Sequence, residues 1–106
     1  MADTVRASHI LLMYAGSERS TASRSKDEAI SGIQSIKAQL DGGGDFAALA
    51  REHSDCPSGA KGGDLGSFGR GMMVGAFEET AFALAVGATS DVIETPFGYH
   101  IIQRTG

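Results

Sequence analysis

Gly62-Gly63-Asp64-Leu65-Gly66-Ser67-Phe68, followed at once by Gly69-Arg70-Gly71-Met72-Met73, decides how this chain is read. From Cys56 to Gly71 glycine is so dense that no regular helix is expected there, but the backbone can turn tightly and approach a ligand closely. Downstream, Phe77, Ala81 and Leu84 share one side of a helix expected over about Ala76 to Ala85, which stops before Gly87. Two short strands follow, near Asp91 to Thr95 and Tyr99 to Arg104, with Pro96-Phe97-Gly98 as the turn between them. Upstream, Val5 to Tyr14 alternates well enough for a strand, with Ala7, His9, Leu11 and Met13 on one face and Ser8, Ile10, Leu12 and Tyr14 on the other. Apolar groups on both faces predict an interior strand rather than an edge. Ala15 to Ser25, rich in Gly, Ser, Thr and Arg, reads as an exposed mobile loop. Ile30, Ile33, Ile36 and Leu40 recur at helical spacing over Lys26 to Leu40, and that helix ends at Gly42-Gly43-Gly44. Asp45 is placed to cap a second helix that buries Phe46, Leu49 and Ala50. The order strand, helix, helix, helix, strand, strand predicts an α+β layer structure, with no internal repeat and no linker that would divide residues 1–106 into two domains.

Composition narrows the function. With 106 residues, 42% of them hydrophobic, the chain can bury a single core. A net charge of -4 argues against nucleic acid or an anionic membrane as partner, because both reward clustered Lys and Arg. No apolar run approaches the roughly 20 residues of a spanning helix, and the N-terminus lacks a basic region followed by an apolar one. A soluble, unexported, cytoplasmic monomer is the expectation, and the lone Cys56, which cannot form an intramolecular disulfide, suits a reducing compartment.

The glycine-rich run, with His9 in Ser8-His9-Ile10-Leu11 and His100 in Gly98-Tyr99-His100-Ile101-Ile102, resembles the parvulin family of peptidyl-prolyl cis/trans isomerases. The resemblance extends from about Val5 to Thr105 and rests on several motifs in one order. It implies a four-stranded antiparallel sheet surrounded by about three helices, with an extra short strand near Leu65 to Phe68. It also implies an enzyme acting on Xaa-Pro bonds of proteins or peptides, in folding or conformational switching, with no metal or cofactor. By position in the family pattern, Leu65, Met73 and Phe77 look like the proline-ring pocket and Phe97 like its rim. His9, Cys56 (in Ser54-Asp55-Cys56-Pro57), Thr95 and His100 look like a polar floor beneath the twisting bond.

That chemistry is within reach of such residues. An Xaa-Pro bond isomerises over a barrier of about 18–20 kcal/mol, in tens to hundreds of seconds. Four decades of acceleration require about 5.5 kcal/mol, without any covalent bond made or broken. An apolar socket for the ring and a few polar atoms that favour the twisted amide can supply it. Taken singly, the apolar residues read as core, the histidines as satisfied buried groups and Cys56 as a small hydrophobe. Three other functions compete. A cysteine hydrolase would pair Cys56 with His9 or His100, yet nothing around Cys56 suggests an oxyanion hole. A metal site would draw on His9, His53, His100 and Cys56, but no pair has ligand spacing. A binding module for proline-containing peptides would show the same pocket without turnover. Some parvulins prefer a phosphorylated residue before the proline. In the loop after the first strand Arg19, Arg24 and Lys26 could serve that purpose, whereas Met13 and Glu18 oppose it.

Overall fold

Val5, Ala7, Ile10, Leu11 and Leu12 are all buried, so the first strand is covered on both faces, as its two apolar sides require. The computed structural model describes residues 4–17, 22–71, 73 and 75–106, and Glu18, Arg19 and Met72 lie outside these residues. The strand, β1 (Thr4–Leu12), is central in an antiparallel sheet with β2 (Asp64–Gly69), β3 (Ile93–Thr95) and β4 (Gly98–Arg104), in the order β2-β1-β4-β3. The glycine-rich run therefore supplies the extra strand at the edge. Tyr14 falls beyond β1, in a turn where its carbonyl accepts Ser17 N–H at 3.0 Å.

Ile10, Leu12, Tyr99 and Ile101 lie on one face of the sheet, under Ala29, Ile33 and Ile36 of α1 (Lys26–Asp41) and Phe46, Leu49 and Ala50 of α2 (Phe46–His53). Ser25 begins α1 with a capping box: its hydroxyl accepts Glu28 N–H at 3.1 Å and Glu28 Oε1 accepts Ser25 N–H at 2.8 Å. Asp45 does occupy the N-cap position of α2, but its side chain makes no capping bond; only its carbonyl engages, accepting Leu49 N–H at 3.1 Å. On the opposite face, Val5, Ala7, Phe68 and Ile102 pack against Phe77 and Ala81 of α3 (Gly75–Ala83). Leu84 is half-buried just past the end of that helix, though it still joins the cluster.

Two further details depart from the periodicity. Pro57–Lys61 forms a short 3₁₀ helix within the stretch expected to lack one, started by the proline and held by Gly59 N–H to Cys56 O at 2.8 Å. The third strand starts only at Ile93. Upstream of it, buried Ser90 takes the ladder's place: its hydroxyl accepts Ile102 N–H at 2.9 Å while its own N–H reaches Ile102 O at 2.7 Å. A side chain thereby replaces one backbone partner, and regular pairing resumes beyond it.

Candidate functional site

β1 and β4 run antiparallel with His9 opposite Ile102 and Leu11 opposite His100, so the two histidines are diagonal neighbours on the α3 face. Diagonal spacing is too wide for small side chains, but two imidazoles span it. Their rings stack at 5.2 Å between centroids and the two Nδ1 atoms meet at 3.1 Å. Thr95, at the end of β3, lies beside them, with Oγ1 2.7 Å from His100 Nε2.

Hydrogen-bond accounting assigns the protons. Phe97 N–H donates to Thr95 Oγ1 at 3.2 Å, which leaves the Thr95 hydroxyl proton free for His100 Nε2. His100 then carries its proton on Nδ1 and donates it to His9 Nδ1, so His9 is protonated on Nε2. The reverse arrangement strands the buried Thr95 hydroxyl proton without an acceptor, a cost of about 1–3 kcal/mol. Under the favoured assignment one group is left over: His9 Nε2 is buried without a partner among the described residues.

Both rings are neutral at physiological pH. Burial lowers the pKa of His9 to about 4. Burial, and to a smaller extent the neighbouring His9, lowers that of His100 to about 3.

The apolar wall comes from β2 and α3. Phe77 sets its ring edge-on to both imidazoles, 5.4 Å from His9 and 5.5 Å from His100, and is only 3% exposed. Leu65 and Met73 are half-buried against the same cluster, as are Phe82, Leu84 and Ile93, so each of them keeps apolar surface that solvent can reach. A β-bulge controls Leu65: the register slips between Arg6 and Ser8, so that Leu65 and Gly66 together oppose Ala7. Phe97 is half-buried in the two-residue turn joining β3 to β4. Gly98 there has φ +142°, and a Cβ on it would lie 2.3 Å from Leu12 O.

Beyond Ser8, the outer edge of β1 loses β2 as a partner and finds others. His9 N–H donates to Gly63 O at 2.9 Å, Leu11 N–H to Ser54 Oγ at 3.1 Å and Met13 N–H to Asp55 Oδ2 at 2.8 Å, while Asp55 N–H returns a bond to Leu11 O at 2.7 Å. This stitching brings Cys56, half-exposed, to the N-terminus of the 3₁₀ helix. With three of the four ring nitrogens engaged among themselves and with Thr95, and the fourth unpartnered, the Cys56 thiol bonds to neither histidine. His53 ends α2 with Nε2 3.7 Å from Glu52 Oε2. Among the described residues no three His, Cys, Asp or Glu side chains are grouped to hold a metal ion.

The structure thus joins His9, His100, Thr95, Phe77, Leu65 and Met73 around one face of the sheet, with Cys56 and Phe97 on the loops that border it. Sequence reasoning passed over Ser54, Asp55 and Ser90 as partners of the strands. Small polar residues in loops carry no period that would reveal such bonds.

The model of the PPIC-type PPIase domain family matches residues 1–106. The chain belongs to this family. This PPIase domain is 44% identical to a peptidyl-prolyl cis-trans isomerase Pin1 from Digitalis lanata, over 98% of each chain. It is 47% identical to the foldase protein PrsA of Geobacillus kaustophilus, over 95% of this chain and 31% of that one. In three dimensions it superposes on the peptidyl-prolyl isomerase ESS1 from Candida albicans with a TM-score of 0.92 at 41% identity, covering 98% of this chain and 63% of the other. The four-stranded antiparallel sheet with three α-helices is the fold of that isomerase.

Proposed function

We propose that the protein catalyses cis/trans exchange of Xaa-Pro bonds in proteins and peptides, by favouring the twisted amide without covalent chemistry. One observation carries this reading: a neutral, buried histidine pair is backed by Phe77, whose apolar cluster includes the half-buried Leu65 and Met73. The pyrrolidine ring rests on Leu65 and Met73, with Phe77 behind it and Phe97 at the rim. Flat and flexible apolar groups suit that ring. His9, His100 and Thr95, each at most 5% exposed, form the base of the floor and hold β1, β4 and β3 in register. Cys56 is the accessible member of the four polar residues and faces the twisting amide. Neutral imidazoles serve this purpose well, because a buried charge would demand water in a site that works by excluding it.

In this reading the single domain 1–106 works as a monomer on proline-containing chains in a cytoplasmic setting, assisting folding or conformational switching. The absence of a helix long and apolar enough to cross a membrane among the described residues is compatible with that. The relative named a foldase supports a folding role.

The test is exchange between cis and trans in an Ala-Pro peptide, followed by NMR, with chelator present and no nucleotide added. Acceleration by about three or more decades is expected. Cys56→Ala should keep a substantial part of the rate, since no nucleophile is required. Abolished turnover in a folded Cys56→Ala variant would point to covalent chemistry, and peptide binding without acceleration would make the protein a binding module.

A further inference from the structure

Met73 stands between β2 and α3, where glycine at 69, 71 and 75 leaves the backbone few restraints of its own. Gly71 has φ +86°, and a Cβ added there or at Gly75 would meet nothing within 4 Å. The connection is nevertheless held to α3 at two points. The Arg70 guanidinium lies over the Phe82 ring, 4.2 Å from its centre, and Gly71 N–H donates to Glu78 Oε1. Phe82 sets its ring edge-on to Phe68 at 6.2 Å, and Phe68 lies 6.0 Å from Phe77, so the first anchor ends on the aromatic cluster that backs the histidines. The second is closer to Met73. Glu78 directly follows Phe77 in the first turn of α3, where the positive end of the helix favours its carboxylate. Its bond ties the chain, two residues before Met73, to the turn that carries Phe77.

We propose that Glu78 is a positioning residue of the ring socket: by accepting Gly71 N–H it sets where Met73 stands relative to Phe77. The proposal rests on the isomerase reading above, which gives Met73 and Phe77 to the proline ring. Glu78 touches no substrate in this role and acts through the backbone alone. Without the bond, a glycine-rich connection samples many conformations, and each substrate that binds must pay to order it. That cost falls on the ground state and the transition state alike, because the ring occupies the socket in both, so it is read in KM rather than in kcat. The oxygen matters, not the charge: glutamine reaches as far and can accept the same N–H, whereas aspartate keeps the charge at the helix start but withdraws its oxygens by one methylene.

The experiment measures kcat and KM separately, and peptide affinity by NMR titration, for Ala-Pro, Leu-Pro and Glu-Pro peptides. The proteins are the full chain and its Glu78→Ala, Glu78→Asp and Glu78→Gln variants, each checked for an intact fold by its melting curve. Glu78→Ala should raise KM by about fivefold on every peptide with little change in kcat, and shift the Gly71 amide resonance. Glu78→Asp should raise KM as well, and it decides the matter if the alanine variant does not fold. Glu78→Gln should stay within about twofold of the wild type. Unchanged KM in the folded Ala and Asp variants overturns the proposal, since a purely structural side chain would move only the melting temperature. So does the reverse order, with Glu78→Gln impaired and Glu78→Asp normal, which would make the charge the active feature. If none of the proteins turns over any peptide while affinities follow the expected order, the isomerase reading fails and the positioning role stands; absence of binding by every peptide overturns both.

Discussion

His9 Nδ1 and His100 Nδ1 face each other at 3.1 Å between adjacent strands, so one ring must donate the only proton that lies between them. The bond joins two residues 91 positions apart in sequence, and Thr95 extends it to a third strand. A histidine pair built this way is part of the fold's framework, and if it also serves as the proposed floor of the site, its removal is predicted to affect both stability and activity.

Replacing either histidine should therefore lower stability, and by unequal amounts. His100→Ala strands both His9 Nδ1 and Thr95 Oγ1, whereas His9→Ala strands only His100 Nδ1. At about 1–3 kcal/mol for each buried group left unpaired, the His100 variant should melt several degrees below the His9 variant. Equal melting temperatures for both variants and the wild type would show that the rings do not bond.

The pair also sets a pH dependence whose sign follows from burial. Both histidines have folded pKa values below the unfolded one, so between about pH 6.5 and pH 4 the unfolded chain binds more protons than the native one. The associated stability is complete above pH 6.5 and is lost as pH falls through that window, by up to about 1.4 kcal/mol per pH unit for each ring. Asp64, lowered by its bond to Arg6, and Glu28, lowered by its bonds to Ser25, lose their contribution only as pH falls below the ordinary carboxylate range. Urea unfolding at pH 7.5, 6 and 5 should show the decline, and a variant lacking both rings should show less of it. A flat profile from pH 7 to 5 in the wild type would contradict the burial of neutral rings.

The proposed pocket and the core differ in exposure. Met73→Ala and Leu65→Ala, at half-buried positions, should cut kcat/KM on all Xaa-Pro peptides alike while costing about 1–2 kcal/mol or less in stability. Phe77→Ala should lower stability by about 3–5 kcal/mol as well, because its ring is buried against Phe68 and both imidazoles. Steady-state kinetics beside thermal melts decides the matter. Unchanged kcat/KM in both the Met73 and Leu65 variants would move the ring socket elsewhere.

Gly63 offers a test at the strand edge. It has φ +85°, and a Cβ there would stand 2.4 Å from His9 O and 3.2 Å from His9 N. Gly63→Ala must push β1 away at His9 itself, so a loss of several kcal/mol is expected, with a changed His9 ring resonance in NMR spectra. Gly71→Ala, where nothing lies within 4 Å of the added carbon, should disturb the histidine far less although its φ is also positive. Indistinguishable His9 resonances in the Gly63 variant and the wild type would refute the close approach.

Periodicity carried much of the architecture. Ile33 and Ile36, Phe46 and Leu49, and the alternating residues of β1 announce which face they bury, because burial of an apolar side chain repeats with the geometry of its own helix or strand. The resemblance of the motifs around His9 and His100 added the sheet and the family, since motif order survives where individual contacts cannot be read. Polar loop residues obey no such period. That Ser54 and Asp55 complete the edge of β1, that Ser90 stands in for a ladder bond, and that Arg24 is matched by Asp55 follow from backbone groups and charges seeking partners 12 to 43 positions away. The histidine tautomers belong to the same class. Sequence determined that this chain has two histidines on apolar strands and an apolar run beside them; tertiary packing decided which nitrogen meets which, because a hydrogen bond is satisfied by proximity in space and not by order along the chain.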